Sequence, residues 1–560
     1  LRHRGPDGSA LHSEGPLAVG LARLAVVGRS APARVHRDGP VWAVANGEIY
    51  NHAELWRAGD EPSPVDTAVL PGLVRREGEA GLRRVRGPLA AAFVDGRDGS
   101  LQLFRDARGK RPLFILSNRQ GTFAASELKA LVAGAGDIPF SPHALRRFME
   151  RGFLDDDEPL LEGVKSITPG ALITVRAGVI TVHPPPASPT SPSTLEELTE
   201  VLRSSVMVRA RTEVPAAVLL SGGLDSTLVA ALSGIPLAYT MRVPVADETE
   251  KARIAAQAFG LELRIVDVNP PTLPKLCRTL WHLESPDARL GWGVADALFQ
   301  LNQRLRADGI RVTLSGEGAD ELFLGYPWHQ AQAAVERGDD VAPFLPGIGS
   351  ADAAYARALM GLNTSCALDV WLRAMEGAVM TEVHRRATHV LRPELRPPKE
   401  KSGLPGPPTS ARQRQRDSLE RDLVAGPVRF ADRLALGAGV EPRMPFLDEA
   451  VVQVALRLPV QLLETRGLDK PALRQVTRTL LGDAWQPPPK QGFRAWPTPP
   501  MEEVRTFARQ LLNGHPTVVD PVFLKNAGHA PADEHLLWRA VLLELCARQL
   551  ASADGPWVPL

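Results

Sequence analysis

The hydrophobic and polar positions of the chain follow two patterns, one on each side of a proline-rich stretch. Short apolar segments punctuated by glycine fill the first third, among them GPLAVGLARLAVVG, VWAVANGEIYN and GALITVRAGVITV. Such segments predict β-strands and hairpins, with few long helices. The stretch HPPPASPTSPS, residues 183–193, comes next. Proline at this density neither donates sheet hydrogen bonds nor continues a helix, so this stretch predicts a linker.

Helical periodicity begins directly after this linker. In STLEELTEVLRSSVMVRA, residues 193–210, leucines and valines recur on one side of a helix, and Thr194 with Glu197 matches a capping box. An apolar run (VPAAVLL), a glycine-rich loop (SGGLDS) and an apolar helix (TLVAAL) follow. A similar order recurs at residues 310–326, IRVTLSGEGADELFLGY. Apolar runs that alternate with helices predict a parallel α/β sheet.

Length, charge and cysteine count narrow the class of protein. A chain of 560 residues is too long for one core and predicts two or three domains. The net charge of +1 gives no electrostatic reason to expect nucleic acid or an acidic membrane as partner, and no apolar run is long enough to predict a membrane span. The three cysteines have no metal-binding or disulfide spacing. We expect them to be buried thiols in a reducing cytoplasm: Cys277, Cys366 and Cys546.

The loop SGGLDS predicts a phosphate site. A strand that ends at Ser-Gly-Gly and turns into a helix leaves backbone N–H groups that attract anions, and glycine lets a phosphate approach closely. Asp225 would repel a bare phosphate, so a cation, Mg²⁺, is expected between them. The loop LSGEGADE repeats the design. There Asp320 offers a second carboxylate to the same Mg²⁺, and Glu317 is a candidate for proton transfer from an attacking amine. Taken alone, each loop is also compatible with an ordinary turn.

No lysine follows these glycines, so the loop differs from the phosphate-binding motif GxxxxGK[ST]. It resembles instead the PP-loop of the ATP pyrophosphatases. Those enzymes cleave ATP between its α and β phosphates. SGGLDS, SGEGADELFLGY, EPRMPFLD, DKPALR and PKQGF stand in the order seen in glutamine-hydrolysing asparagine synthetases. In the first part of the chain, RHRGPDG, NGEIYNHAEL, FRDARGKRPLF and ASELKAL resemble the glutaminase domain of that family. The resemblance runs from Arg2 to about Phe493.

The resemblance implies an α/β and α+β fold of two domains. Residues 1–183 would form an Ntn-hydrolase αββα sandwich, residues 184–193 a linker, and residues 194–560 a Rossmann-like parallel α/β PP-loop domain. The implied activity is the ATP-dependent amidation of aspartate to asparagine through β-aspartyl-AMP. Ammonia comes from glutamine and reaches the second domain through an internal tunnel. ATP and Mg²⁺ are the implied cofactors.

The family's site residues can be transferred to matching positions. Glu317 would accept a proton, and Lys490 in PKQGF would balance charge at the α-phosphate. Lys470, in DKPALR, is a weaker lysine candidate. Asp225 and Asp320 would bind Mg²⁺. The resemblance implies this set of ATP-binding residues: Leu219, Ser221, Gly222, Gly223, Asp225, Ser226, Val243, Ser315 and Gly316. It implies these glutamine contacts, which suit the charges of that ligand: Arg23, Asn46, Gly47, Glu48 and Asp66.

The chain departs from the family at its start and at single positions. The family's nucleophile is an N-terminal cysteine, whereas this sequence begins at Leu1. We expect a truncated or misassigned start. The alternative is a natural loss of glutaminase activity that leaves a synthetase using free ammonia. Gly28 stands where relatives carry an aspartate, and Leu324 and Pro488 replace a glycine and an arginine.

Other functions stay open at this point. The missing cysteine is compatible with an amide-forming relative in natural-product biosynthesis, such as a β-lactam or lasso-peptide cyclase, although Glu317 matches the asparagine-forming enzymes better. A non-catalytic nucleotide-binding protein and a tRNA-modifying PP-loop enzyme are weaker alternatives. For the favoured function we expect small-molecule substrates, a cytoplasmic location, no nucleic acid or membrane partner, and the homodimer common among relatives.

Overall fold

The computed structural model contains sixteen strands and eighteen α-helices among the residues it describes. Those residues are 1–57, 63–186, 190–245, 247–337, 339, 383, 386–396, 410–465, 468–482, 485–488, 499–551 and 556. The strands are β1 Ser9–Glu14, β2 Leu17–Ala22, β3 His36–Asp38, β4 Val41–Gly47, β5 Leu89–Asp95, β6 Ser100–Arg105, β7 Phe114–Asn118, β8 Gly121–Ala125, β9 Lys165–Ser166, β10 Leu172–Arg176, β11 Val179–His183, β12 Ala216–Leu219, β13 Leu237–Arg242, β14 Glu262–Asp267, β15 Val312–Leu314 and β16 Glu441–Arg443.

The helices lie on both sides of these sheets and at the C-terminal end. They are α1 His52–Leu55, α2 Leu70–Leu82, α3 Leu128–Ala135, α4 Pro142–Arg151, α5 Leu195–Ala210, α6 Leu224–Ser233, α7 Thr249–Ala258, α8 Leu273–Leu283, α9 Val294–Ala307, α10 Ala319–Leu322, α11 Pro327–Arg337, α12 Ala411–Asp417, α13 Arg429–Gly437, α14 Glu449–Ala455, α15 Pro471–Leu481, α16 Met501–Asn513, α17 Pro521–Asn526 and α18 Pro531–Ala551. No helix in the described ranges is long and apolar enough to cross a membrane.

The first domain is a helix–sheet–sheet–helix sandwich. Its six-stranded antiparallel sheet has the order β11-β10-β6-β5-β4-β3, and a three-stranded sheet has the order β8-β7-β9. Successive residues of β5 point to opposite faces: Ala91 and Phe93 pack on α2, whereas Ala90 packs towards β7. Helices α3 and α4 cover the outer face of the small sheet. This layering agrees with the predicted αββα fold.

The second domain contains a five-stranded parallel sheet with the order β14-β13-β12-β15-β16. Val218 and Leu220 pack against helices α5, α6 and α7 on one face, and Ala217 and Tyr239 pack against α9 on the other. Burial of both faces suits a parallel sheet and explains its apolar strands. Strands β13 and β14 lie on one side of β12 in the sheet. The chain then crosses over, so that β15 and β16 lie on the other side of β12. The ends of β12 and β15 therefore form the switch point at which such sheets bind ligands.

Helix α5 starts as the sequence predicts. The Thr194 side chain accepts from the Glu197 N–H, and the Glu197 carboxylate accepts from the Thr194 N–H. This capping box satisfies two of the backbone donors that a helix start leaves free. Just before it, the Ser193 hydroxyl donates to the carbonyl of Val454 at 2.6 Å, which ties the chain to α14.

Buried ion pairs join the two domains. Arg443 of β16 binds the carboxylate of Glu48, with Nε to Oε2 at 2.9 Å, and both side chains are almost fully buried. Arg111 of the first domain binds Asp432 at 2.7 Å and also binds Glu441. Charges buried this deeply have to be paired, so the relative position of the domains is fixed by these contacts.

Candidate active site

The first glycine-rich loop joins β12 to α6 at the centre of the parallel sheet. Gly222 has a φ of +76°, and a Cβ atom there would overlap the backbone carbonyl of Lys251 in α7. Only glycine fits this position without displacing the helix. Gly223 caps α6 without a side-chain hydrogen bond, and Asp225 is the acidic residue in the first turn of the helix.

Hydroxyl groups preorganise this loop. The Oγ atoms of Ser221 and Ser226 are 3.0 Å apart, and the Ser221 N–H donates to Ser226 Oγ at 3.2 Å. The Gly223 N–H donates to Ser221 Oγ at 3.3 Å. The loop therefore holds its turn by its own contacts, with two hydroxyls beside the start of a helix, as a phosphate cradle requires.

The second loop lies against the first. Ser315 and Gly316 follow β15, and a Cβ atom on Gly316 would come within 2.8 Å of the Asp225 Cβ. The Ser315 N–H donates to the carbonyl of Arg443 at 3.1 Å, which ties the loop to β16. Val243 follows β13 on the other side of β12 and is buried. The predicted ATP-binding residues thus lie at the ends of three neighbouring strands.

Asp225 and Asp320 converge on one cation, the ammonium group of Lys470. Lys470 Nζ donates to the two carboxylate oxygens of Asp225 at 2.6 and 2.5 Å and to Asp320 Oδ1 at 2.9 Å. Its side chain is 1% exposed. Burial alone would lower the pKa of Lys470, but the two carboxylates outweigh burial and raise it above the usual value. The lysine is therefore charged.

The same two carboxylates fit a magnesium site. Oxygens that share one ammonium nitrogen are near enough to share one metal ion, and Mg²⁺ in nucleotide sites takes one or two carboxylates and fills its other positions with phosphate and water. Within the described ranges no group of three or more His, Cys, Asp or Glu side chains could hold a metal. Two carboxylates are a donor set that suits a metal that arrives with a polyphosphate.

A buried carboxyl group, that of Glu321, lies behind this loop with Tyr326, and neither residue is singled out by the sequence pattern. Tyr326 donates its hydroxyl to Glu321 Oε1 at 2.6 Å, and Glu321 is 1% exposed. Burial, and then the neighbouring Asp320, raises the pKa of Glu321 to about 8. Glu317, the predicted proton acceptor, is half-buried in the same loop. Lys490, the other predicted catalytic residue, lies outside the described residues.

Gly325 explains how the lysine reaches the carboxylates. A Cβ atom at this position would overlap the Asp320 carboxylate and come within 2.8 Å of the Lys470 Cδ. The preceding Leu324 has a φ of +54°, a conformation that glycine adopts more easily. The Gly325 N–H donates to the Asp320 carbonyl at 2.8 Å and closes the turn.

The structure brings four of the five predicted glutamine contacts together. Asn46 and Gly47 end β4, Glu48 follows them, and Asp66 accepts from the Ile49 N–H at 2.6 Å. Burial, and then the charge of Glu48, raises the pKa of Asp66 to about 6. The Glu48 carboxylate itself is bound to Arg443 of the second domain. No pattern in the sequence indicates this partner.

Arg23 binds backbone carbonyls of the turn that follows it. Its guanidinium donates to Val27 O at 2.8 Å and Gly28 O at 2.7 Å, and also to Ala31 O. Gly28 has a φ of +60° and packs against the backbone of Pro64, two residues before Asp66. Arg23 thus supports the turn beside the group formed by Asn46, Gly47, Glu48 and Asp66.

Two of the three cysteines are described, and both are buried in the core. Burial raises the pKa of Cys277 to about 12, so its thiol is not a nucleophile at neutral pH. Burial raises the pKa of Cys546 as well. Both agree with the expectation of structural thiols. Cys366 lies outside the described residues.

A glycine-rich loop at the switch point of a parallel sheet, joined to a helix–sheet–sheet–helix sandwich, is typical of a two-domain nucleotide-dependent enzyme. Comparison with protein families refines this class. The model of the asparagine synthase domain matches residues 197–553, and that of a glutamine amidotransferase domain matches residues 1–184. The chain belongs to the asparagine synthase family and is an enzyme of the ligase class.

Individual relatives agree with the family. The chain is 25% identical over 523 residues to glutamine-hydrolyzing asparagine synthetase 1 of Bacillus subtilis (strain 168), covering 88% of this chain and 82% of the relative. It is 28% identical over 352 residues to a glutamine-hydrolyzing asparagine synthetase of Zea mays, covering 58% of this chain and 56% of the relative. A solved glutamine phosphoribosylpyrophosphate amidotransferase from B. subtilis aligns with 12% identity and a TM-score of 0.25, over 60% of this chain and 72% of that one. This value is too low to bear on the fold.

Proposed function

We propose that this protein forms L-asparagine from L-aspartate with ATP, using ammonia that its first domain releases from glutamine. The observation that carries the proposal is the convergence of Asp225 and Asp320, from two adjacent glycine-rich loops, at the switch point of the parallel sheet. The names of its relatives supply the product, asparagine, and the hydrolysed substrate, glutamine. The two glycine-rich loops and the two carboxylates between them support a polyphosphate site here.

The reaction proceeds in two steps. An oxygen of the aspartate side-chain carboxylate attacks the α-phosphorus of ATP, the bond to the β-phosphate breaks, and pyrophosphate leaves with that electron pair. Ammonia then attacks the carbonyl carbon of β-aspartyl-AMP, AMP leaves, and asparagine remains. Glu317 accepts the proton that the attacking nitrogen loses. Lys490 balances charge at the α-phosphate during the first step.

The residues of the second domain bind ATP and orient it. Ser221, Ser226 and the amides of Gly222 and Gly223 contact phosphate oxygens, and Val243 lines the adenine pocket beside β13. Asp225 and Asp320 would hold Mg²⁺, which neutralises part of the polyphosphate charge when bound.

The first domain supplies ammonia. Glutamine would bind through its α-carboxylate to Arg23 and through its α-ammonium to Glu48 and Asp66. Asn46 and Gly47 would donate to the oxygen that becomes negative during hydrolysis. Free ammonia replaces glutamine as donor in any form of the chain that lacks the family's nucleophilic cysteine.

The proposal is tested by pyrophosphate release from ATP and Mg²⁺ with aspartate, then with added ammonium, then with glutamine instead. We expect release that depends on aspartate, and asparagine when ammonium is present. Asp225→Asn and Asp320→Asn should each lower the rate at least about 100-fold, since each removes a charge from the polyphosphate site. Asp267→Asn, on the exposed end of β14, is the matched control and should keep the rate. Release that ignores aspartate, or persists in both site variants, refutes the proposal.

A further inference from the structure

The ammonium group of Lys470 occupies the space between Asp225 and Asp320. It is within 2.6 Å of both oxygens of the first carboxylate and within 2.9 Å of one oxygen of the second. The two carboxylates are each 17% exposed, so they are largely shielded from water. The lysine is therefore part of the site, although its motif lies 245 residues from Asp225 along the chain.

This position conflicts with a metal ion bound by the same oxygens. Mg²⁺ holds its oxygen ligands at about 2.0–2.1 Å, closer than an ammonium nitrogen approaches them. The metal and the ammonium cannot both stand between the two carboxylates. Binding of one displaces the other, and the free-energy cost of displacing the lysine is subtracted from the affinity for the metal.

The backbone around Lys470 limits where the ammonium can go. Lys470 has a φ of +47° and is the residue that caps α15, directly before Pro471, and its carbonyl accepts from the Arg474 N–H at 3.0 Å. The side-chain stem runs over Gly325, where any side chain would obstruct it. The Lys470 backbone is therefore held in place, and its side-chain methylene groups are enclosed. Movement towards a ligand above the carboxylates is left to the ammonium end of the side chain.

We propose that Lys470 is a built-in counter-cation that keeps Asp225 and Asp320 assembled and excludes free Mg²⁺ until the metal arrives with a polyphosphate. The phosphate oxygens then take over the pairing with the ammonium group, and the metal takes over the carboxylates. This inference rests on the proposed function of the site and adds an order of binding to it: the metal alone binds weakly, and the metal with nucleotide binds tightly. Lys470 is in this account a positioning residue.

The test is a direct measurement of Mn²⁺ binding, because Mn²⁺ replaces Mg²⁺ at oxygen sites and its spin-resonance signal reports the free ion. Full-length protein is titrated with Mn²⁺ alone and with Mn²⁺ plus ATP. Lys470→Met removes the charge and keeps the apolar stem, and Lys470→Gln is a second neutral variant. Lys275→Met, which removes a half-buried lysine whose ammonium group donates to the carbonyl of Pro270, controls for the loss of one positive charge. Lys470→Met combined with Asp320→Asn shows whether any new binding is at this site.

We expect the wild type to bind Mn²⁺ alone at least about tenfold more weakly than either neutral variant, because removing a cation from contact with two carboxylates strengthens their attraction for another. Lys275→Met should behave as the wild type, and the double variant should lose the gain. A merely structural role for Lys470 would leave Mn²⁺ affinity unchanged in any folded variant.

Three outcomes overturn the inference: neutral variants with the Mn²⁺ affinity of the wild type, a gain that survives Asp320→Asn, or a wild type that binds Mn²⁺ alone as tightly as with ATP. The last of these needs no variant, so the inference stays testable if both substitutions prevent folding. A wild type that binds no Mn²⁺ with ATP contradicts the proposed function as well. Tight binding with ATP but no gain in the variants contradicts only the role of Lys470.

Discussion

Replacing Glu48 by glutamine keeps the size of the side chain and removes the charge that faces Arg443 across the domain interface. Arg443 is 1% exposed and Glu48 is 4% exposed, so neither group has water to replace a lost partner. The guanidinium binds the carboxylate through Nε at 2.9 Å and through a second nitrogen. Its third nitrogen donates hydrogen bonds to the carbonyls of Arg209 and Arg211.

The size of the effect follows from these contacts. Removing one partner of a buried ion pair costs about 3–5 kcal/mol, because the other charge stays buried without compensation. Glutamine retains one of the two hydrogen bonds, so we expect the lower end, about 3 kcal/mol. Arg443→Met should cost a similar amount. The double variant Glu48→Gln/Arg443→Met should cost less than the two single changes together, with a coupling of at least about 2 kcal/mol.

The assay is urea unfolding of the four proteins, followed by circular dichroism and tryptophan fluorescence. The domains need not unfold together, so the comparison is made at each resolved transition and at constant slope. Glu54→Gln, on the exposed side of α1, is the control and should change nothing. A loss under about 1 kcal/mol for Glu48→Gln, or strict additivity in the double variant, would refute the reasoning. A raised KM for glutamine at unchanged stability would assign Glu48 to substrate binding alone.

Three further predictions concern single side chains. The pKa of Asp66 is raised to about 6, so the folded state holds that proton more tightly than the unfolded state, and stability falls as pH rises from about 4 to about 6. Asp66→Asn should remove this dependence and raise stability at pH 8 by about 2–3 kcal/mol in urea unfolding; an unchanged pH profile would contradict it. Gly325→Ala should lower pyrophosphate release at least about tenfold, because its Cβ would displace Asp320 and Lys470; a wild-type rate would exclude this close approach. Glu321→Gln should change stability at pH 7 by under about 1 kcal/mol, because glutamine resembles the protonated acid that accepts from Tyr326; a larger loss would mean that the carboxylate is ionised there.

The parts of the fold that depend on neighbouring residues could be predicted from the sequence. The capping box of Thr194 and Glu197, the strand before Ser221 and the helix after Gly223 are each set within a few positions. The contact between the two glycine-rich loops could also be inferred, since parallel strands end at the same edge of a sheet.

Contacts between distant segments could not be predicted in the same way. DKPALR looks like an ordinary helix start with proline in its first turn, and nothing in it indicates that Lys470 reaches Asp225 and Asp320. The motif NGEIYN suggests that Glu48 binds a ligand, whereas the structure pairs Glu48 with Arg443, 395 residues away. In both cases the charge was visible in the sequence, but its partner is determined by tertiary packing.

The strand β16 is only three residues long, yet it limits how this protein can be engineered. Arg443 contacts Glu48 through its side chain and Ser315 of the second glycine-rich loop through its carbonyl. The buried carboxylates of Asp432 and Glu441 likewise form ion pairs with Arg111 of the first domain. A synthetase domain cut free at the linker would expose Arg443, Asp432 and Glu441 among the charged groups that the first domain had covered. A stand-alone version would need these positions redesigned as well, and a new chain start alone would not be enough.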